Sequence, residues 1–172
     1  MSSYNGFNLL VADARISVRS APQLVYFTNR RRQGPRALAP GIYGLSNAFL
    51  DTPWPKVTRA VGRFACALAS RVDLEPLLSI MADRQPVRDN ELPSTGVPLE
   101  WERALATIQI RANGYGTRST TVVTVRRDGV VNFLERSFEA DAPDAYRDRH
   151  FEFTLDAPGV SAPRVSDAGK AS

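Results

Sequence analysis

Two stretches near the middle of the chain carry the apolar spacing of α-helices. The first has four apolar residues three or four positions apart, on one helical face: Val57, Val61, Phe64 and Leu68. Pro53 and Pro55 suit the start of this helix, and Asp51 or Thr52 can cap it. A second helix is predicted after Asp73 as N-cap, and its buried side contains Leu74, Leu77, Leu78 and Met81.

Strands are predicted before these helices. FNLLVAD (7–13) is apolar on both alternating faces, which is typical of a strand that is covered on both sides. RISV (15–18), LVYFTN (24–29) and GIYGLSNAF (41–49) are predicted as three further strands. NRRRQGPR (29–36) is predicted as the turn or loop between the last two.

After the helices the pattern changes to alternation. A polar loop that contains prolines is predicted over 83–98, followed by a strand around Ile108 and Ile110. Asp128-Gly129 is a strong hairpin signal between TRSTTVVTVRR and VVNFLERSF, and HFEFTL is the last predicted strand. Because helices and strands do not alternate as βαβ units, the predicted class is α+β, with mostly antiparallel sheets and two helices in layers. The small, polar residues of 157–172 predict a disordered tail.

Length and composition narrow the class of protein. The 172 residues suffice for one domain, and 43% hydrophobic with 23% charged residues is typical of a soluble globular protein. No apolar run approaches the roughly 18 residues of a membrane span. One cysteine, Cys66, excludes an internal disulfide framework, and with a single His150 it excludes a zinc finger. We therefore expect no metal site and a cytoplasmic, reducing location.

Basic residues are concentrated early in the chain. Residues 1–71 hold ten basic and two acidic side chains, within a whole chain of net charge +4. A cluster in this part is a candidate for contact with phosphate or nucleic acid: Arg30, Arg31, Arg32 and Arg36. No nucleic-acid-binding motif accompanies it, and no aromatic residues are interleaved with it. Nucleic-acid binding through Arg30–Arg36 is therefore ranked last, and a solvated turn is the preferred interpretation.

Two segments contain polar groups that suit an anion or a carbonyl group. In GYGTRSTT (114–121), glycines let the backbone approach a ligand, and Arg118 stands among hydroxyls. Asn47 lies between a predicted strand and a helix, where an amide can stabilise an oxyanion. The alternatives are a glycine turn that enters a Thr-rich strand and an asparagine that bonds its own backbone. Cys66 and His150 stand at no motif spacing, so no catalytic residue is predicted.

Six segments resemble, in this order, the NRDE-motif family, also named the Transport and Golgi organisation family: YNGFNLLVAD, VYFTNR, PGIYGLSNAFLDTPWPKV, GYGTRSTTVVTV, FLERSF and FEFTL. The resemblance runs from Tyr4 to Leu155, and it divides the chain into 4–156, the family's C-terminal portion, and the tail 157–172. It implies a fold like that of the N-terminal-nucleophile hydrolases, an αββα sandwich that is incomplete in this chain.

The resemblance also implies what this portion lacks. Family members begin with Met-Cys and carry an Asn-Arg-Asp-Glu motif, and neither string occurs in these 172 residues. We therefore expect missing partner strands and exposed sheet edges, which a preceding segment or a second chain would complete. In this class of hydrolase the first residue after Met removal is the nucleophile. Ser2 stands there in chain order but is not aligned with the family cysteine, so this chain is not expected to be an enzyme.

For function, the resemblance implies a non-enzymatic protein that handles a small amphipathic anion. Haem and acyl-CoA or lipid trafficking and secretory-pathway organisation are the implied roles, with the ligand as cargo, no cofactor, and links to mitochondria and the Golgi. Seven matching polar positions are the candidate ligand contacts: Asn29, Arg30, Asn47, Tyr115, Thr117, Arg118 and Arg136. The alternative is an amidohydrolase of the N-terminal-nucleophile type whose nucleophile lies outside this chain.

Overall fold

A computed structural model describes residues 4–12, 24–70, 73–139, 144–155 and 164–170. Within these ranges the α-helices are α1 Pro55–Ala69, α2 Leu74–Met81 and α3 Leu99–Leu105. The strands are β1 Asn8–Ala12, β2 Leu24–Thr28, β3 Arg36–Leu38, β4 Arg111–Ala112, β5 Tyr115–Gly116, β6 Ser119–Val125, β7 Val130–Phe138, β8 Tyr146–Thr154 and β9 Arg164–Lys170. This mixture of helices and antiparallel sheets confirms the α+β class.

The described strands form three antiparallel sheets. Their orders are β1-β2-β3, β4-β5 and β6-β7-β8-β9, so each strand pairs with its neighbour in the sequence. In the largest sheet Thr120 lies opposite Arg136, and Arg136 lies opposite Asp148. Directly opposed residues share one face of a sheet, so these three side chains stand on the same side.

A layer of two helices covers this side of the largest sheet near β6. The buried core joins α2 to β6 and β7 through five residues: Leu77, Leu78, Ile80, Val122 and Leu134. Phe64 of α1 packs against the same core from its rim. Burying an aliphatic side chain of this size contributes roughly 1.5–3 kcal/mol, so this cluster is the main link between helices and sheet.

The two predicted helices are confirmed as α1 and α2, but the start of α1 differs from the prediction. Its N-cap is Trp54, and Pro55 occupies the first turn. Asp51 instead accepts a hydrogen bond from the Gly44 backbone N–H at 2.8 Å. Thr52 bonds the backbone of the preceding loop, so neither side chain caps the helix. At α2, Asp73 is the N-cap, as predicted.

Helix α3 is not predicted by the sequence pattern. Its seven residues, LEWERAL, make only two turns, which is too short for an apolar repeat to stand out. The carboxylate of Glu102 accepts hydrogen bonds from the hydroxyl and the backbone N–H of Thr95, which tie the helix to the loop before it. That loop, predicted over 83–98, contains one short 3-10 turn at Asp89–Glu91 and no other regular element.

Two predicted strands are wrong. Residues 41–49 form a loop, because their contacts close it on itself: the Asp51 N–H donates to the Gly44 carbonyl at 2.7 Å. Residues 107–109 form a bend, and the next strand starts at Arg111. In both segments apolar residues alternate, but no strand in the described part of the chain supplies the hydrogen bonds of a ladder.

Strand β1 forms as predicted, but the expected cover on both faces is wrong. Leu9, Leu10 and Val11 are all about half exposed. β1 is an edge strand that packs beside β2 in the sheet, so neither of its faces is buried by a further layer of described residues. The predicted strand at 15–18 lies outside the described residues.

The predicted tail is also corrected in part. Residues 164–170 form β9, which pairs with β8 in the register Arg164↔Glu152 to Lys170↔Tyr146. The side chains of 164–169 are exposed, so backbone pairing rather than burial holds this strand. A polar composition indicates that a segment is not buried. It does not show whether the edge of a neighbouring strand, here β8, offers backbone hydrogen bonds to that segment. The other residues of 157–172 lie outside the described ranges.

Candidate functional site

Three of the predicted site residues meet where β2 ends beside the loop 41–54. The guanidinium of Arg30 donates to the Asn47 backbone carbonyl at 2.6 Å and reaches the carbonyl of Gly6 at 3.5 Å. The side chain of Asn29 accepts a hydrogen bond from the Phe7 N–H at 2.7 Å. Arg30 and Asn29 therefore bind the protein's own backbone, and they fasten the first strand to the loop.

Two residues that sequence reasoning missed extend this network. The phenol of Tyr26 donates to the Asn8 side chain at 2.8 Å, and Asn8 donates to the carbonyl of Ala48 at 2.8 Å. Tyr26 is buried, so these hydrogen bonds attach the loop 41–54 to the interior of the protein through Asn8. At the loop's end Asp51 has a φ of 57°, a left-handed conformation that is uncommon outside glycine and is maintained here by its bonds to Gly44.

A second group of predicted residues lies around the hairpin of β4 and β5. Tyr115, Thr117 and Arg118 line a cavity of about 530 Å³, whose other walls come from 109–114 and from the end of β7. The Thr117 hydroxyl accepts from the Ile110 N–H, and the Thr117 N–H donates to the Ile110 carbonyl, both at 2.9 Å. Thr117 thus closes the hairpin, and Tyr115 and Arg118 remain as side chains that a ligand can reach.

Glycines give this hairpin its shape. Gly114 has a φ of 72°, which a residue with a side chain rarely adopts. At Gly116 a Cβ atom would stand 2.9 Å from the Ile110 carbonyl oxygen, too close for any other residue without a backbone shift. The GYG string in the sequence therefore reflects two backbone requirements, and it places the exposed Tyr115 ring between them.

The charges around this cavity are partly neutralised. Arg111 and Arg84 share one carboxylate, that of Asp144, at 3.1 and 3.4 Å. The hydrogen bond from Arg111, followed by that from Arg84, holds the pKa of Asp144 below its usual value. Arg118 is exposed, and its guanidinium makes no hydrogen bond or ion pair with any residue that the structure describes. Arg118 is therefore the cation available to an anionic ligand.

Tyr115, which lines this cavity, belongs to an aromatic pair. The Trp101 ring of α3 meets the Tyr115 ring edge to face, with centroids 5.8 Å apart and planes at 72°. Trp101 is 40% exposed and Tyr115 is 52% exposed, which leaves aromatic surface open to a ligand. Sequence reasoning missed Trp101, because α3 itself was not predicted. A tryptophan three residues after Pro98, the last residue of the predicted polar loop, was the available signal.

Arg136 lies apart from both groups. Its guanidinium bonds Asp148 at 2.8 and 2.7 Å and Glu75 at 3.1 and 3.0 Å, and it covers the Tyr146 ring at 3.9 Å. The hydrogen bonds to Asp148 are the main reason that the pKa of Arg136 is raised well above its usual value. The arrangement links α2 to β7 and β8, and Arg136 does not line the cavity around Arg118.

A separate apolar cavity of about 470 Å³ lies between α1, α2, the loop 43–46 and β6. None of the seven predicted site residues lines it. At its border Lys56 donates to the Leu105 carbonyl at 2.7 Å, and burial lowers the pKa of this lysine. The apolar face of α1 forms one wall, and residues Thr121–Thr124 of β6 form another.

The remaining candidate groups show no shared site. Cys66 is exposed on α1, and the nearby Arg63 binds Asp83 at 2.9 Å. The imidazole of His150 lies 2.9 Å from the Asn132 side-chain oxygen. Among the described residues, no group of three or more His, Cys, Asp or Glu side chains is placed to hold a metal ion. Within the same ranges, the helices are too short or too polar to span a bilayer.

Comparison with known proteins adds a family match. The family model described as Transport and Golgi organisation 2 matches residues 1–140. A Transport and Golgi organization protein 2 homolog from Bos taurus is 36% identical over 162 aligned positions, which cover 88% of this chain and 58% of the relative. The Homo sapiens homolog is 34% identical over 161 positions, with the same coverage. The chain thus spans little more than half the length of these curated relatives.

Proposed function

Because the chain belongs to the Transport and Golgi organisation 2 family, we propose that it binds a small amphipathic anion of the haem or acyl-CoA class and handles it without chemical change. The observation that carries the proposal is the Arg118 guanidinium, which binds no described residue and lies at a cavity lined by Tyr115 of the exposed Trp101–Tyr115 pair. We place this function in the cytoplasm, where a lone exposed thiol stays reduced.

The chemistry of the cavity supports an amphipathic ligand. Arg118 offers a planar fork of donors that suits a carboxylate or phosphate bidentately. The Trp101 and Tyr115 rings offer apolar surface for the rest of the ligand. A volume of about 530 Å³ falls inside the range of small-molecule sites, roughly 300–1,000 Å³. An anionic group would therefore enter the cavity while the apolar part lies on the rings.

Binding is preferred over the amidohydrolase alternative. The described residues that line the cavity include no cysteine and no histidine, and Cys66 lies exposed on α1, outside the cavity. The proposal therefore concerns recognition of an anion rather than cleavage of an amide.

The test is a titration of Arg118→Ala with haemin and with palmitoyl-CoA. A hydrogen bond to a charged group contributes about 1.5–3 kcal/mol, so affinity should fall at least about tenfold. The matched control is Arg127→Ala, which removes the same charge from an exposed position in the turn after β6, at the opposite end of a strand about 23 Å long. Unfolding curves of both variants should match those of the wild type.

Fluorescence can locate the ligand in the same experiment. The chain has two tryptophans, so a Trp54→Phe background leaves Trp101 as the single reporter at the cavity. Palmitoyl-CoA should then change the Trp101 emission along the same curve that measures binding. The proposal is refuted if both ligands bind Arg118→Ala as tightly as the wild type.

A further inference from the structure

The largest described sheet ends at β6, and its open edge borders the apolar cavity. β7 pairs with β6 on one side, and no other strand in the described ranges pairs with it on the other. Thr121–Thr124 form one wall of the cavity. The cavity is thus bounded by a strand edge as well as by side chains, a combination that an ordinary small-molecule pocket does not require.

Alternate residues of β6 direct their backbone groups to this open edge. At the two ends of the pairing, the Arg118 carbonyl accepts from the Phe138 N–H and the Arg126 N–H donates to the Val130 carbonyl, both at 2.9 Å. Even-numbered residues of β6 therefore bond to β7. By the same alternation, the N–H and C=O groups that point to the open edge are those of Ser119, Thr121, Val123 and Val125.

The helix layer extends past this edge. α2 packs on β6, whereas α1 packs beside α2 and presents its apolar face to the cavity: Val57, Val61, Phe64 and Leu68. An α-helix with its side chains is about 10 Å wide, and neighbouring strands are about 4.8 Å apart. α1 therefore covers the position of one or two strands beside β6 that the described residues do not fill.

We propose that the β6 edge and this cavity form an acceptor groove for an extended polypeptide segment, which adds as a further strand beside β6. The sequence of β6, STTVVTV, contains no charge and no proline, so it lacks the features with which proteins usually protect an edge. An acyl chain could fill the cavity, but it would cover the outward N–H and C=O groups of Thr121 and Val123 without pairing them. A strand satisfies the backbone and fills the cavity together.

The charges at the ends of β6 define the chemistry of the partner. Arg118 precedes the strand, and Arg126 follows it. If β6 paired with β6 of a second copy in the antiparallel register that matches all seven residues, Arg118 would stand opposite Arg126 at both ends. Like charges directly opposite one another destabilise a sheet. The groove therefore favours a strand that has acidic residues at its ends and apolar residues that alternate toward α1.

The probe is the nine-residue peptide acetyl-ETVTVTVTE-amide. Paired antiparallel with residues 118–126, it places its valines toward α1 and its glutamates opposite Arg118 and Arg126. Its threonine N–H groups then face β6, so the matched control is the same peptide N-methylated at the four threonines, which keeps every side chain. A second control, KTVTVTVTK, reverses the terminal charges.

Calorimetry should show that the probe binds at least about tenfold more tightly than either control. Hydrogen exchange of the wild-type chain should show new protection of the Thr121 and Val123 amides, whereas Thr120 and Val122, already bonded to β7, should change little. Equal binding of the N-methylated peptide would overturn the proposal. Peptide binding that leaves the Thr121 and Val123 amides unprotected would also overturn it. The same holds if these amides are protected in the absence of peptide and the chain sediments as a dimer.

Discussion

Replacing Arg136 with methionine should destabilise the fold while leaving ligand binding at the Arg118 cavity unchanged. Arg136 connects α2 to the sheet through Glu75 and Asp148, and its planar group covers Tyr146. Methionine keeps most of the apolar stem and removes the charge. The carboxylate of Asp148 would then lose its cation inside the layer between helix and sheet.

The structure sets the size of this effect. The Arg136 and Asp148 side chains are 12% and 16% exposed, whereas Glu75 is 67% exposed. Removing one partner of a buried pair costs about 3–5 kcal/mol, and exposed pairs contribute about 0–1 kcal/mol. Because Asp148 retains some contact with solvent, we expect a loss of about 3 kcal/mol for Arg136→Met and under about 1 kcal/mol for Glu75→Gln.

Urea unfolding followed by circular dichroism measures both losses, and haemin titration of the folded variants measures binding. The double variant Arg136→Met/Asp148→Leu should recover much of the stability, because it leaves no unpaired charge at this position. The reasoning is refuted if Arg136→Met is as stable as the wild type and binds haemin about tenfold more weakly, since Arg136 would then be a ligand contact.

Two further results are expected. In Gly44→Ala the new Cβ would overlap the Val57 side chain, so urea unfolding should show a free energy of unfolding lower by about 1–3 kcal/mol. Gly62 lies in α1 with open space around it, so Gly62→Ala should raise the free energy of unfolding by roughly 0.5–1 kcal/mol. Equal effects of the two substitutions would contradict this packing. Hydrogen bonds from the hydroxyl and the N–H of Thr95 lower the pKa of Glu102 in the folded protein. These bonds therefore stabilise the fold at pH values above the ordinary carboxyl pKa, and their contribution is lost as the pH falls through the lowered pKa of the folded state. The difference in melting temperature between wild type and Thr95→Val should therefore shrink between about pH 7 and about pH 3, and a constant difference would argue against it.

The elements that could be predicted are those whose signals are local. The apolar repeat of α1 and the turn at Asp128-Gly129 are read over a few residues, and Gly129 indeed has a φ of 84°. For the loop 41–49 the pattern wrongly predicts a strand, because alternation alone does not show whether a partner strand exists. The bonds between Gly44 and Asp51, which close that loop, leave no periodic signal.

The candidate site was predictable only in part. The string that contains Tyr115 and Arg118 could be selected from residue types, and the structure brings both to one cavity. Trp101 joins them from a helix too short to leave a periodic signal. Arg136 was selected by the same resemblance, yet its partners are 12 and 61 residues away in the chain, so only folding could reveal that its donors are occupied.

By itself, the sequence determined the family, the α+β class, the two main helices and the central hairpin, because these depend on residue strings and on contacts within a few positions. Only the tertiary structure decided which arginine is bound and which has no partner among the described residues, and which strand edge no described strand covers. Those properties depend on neighbours that are distant in the chain. The contrast between Arg118 and Arg136 is the clearest case, since both stand in strings that resemble the family and only packing distinguishes them.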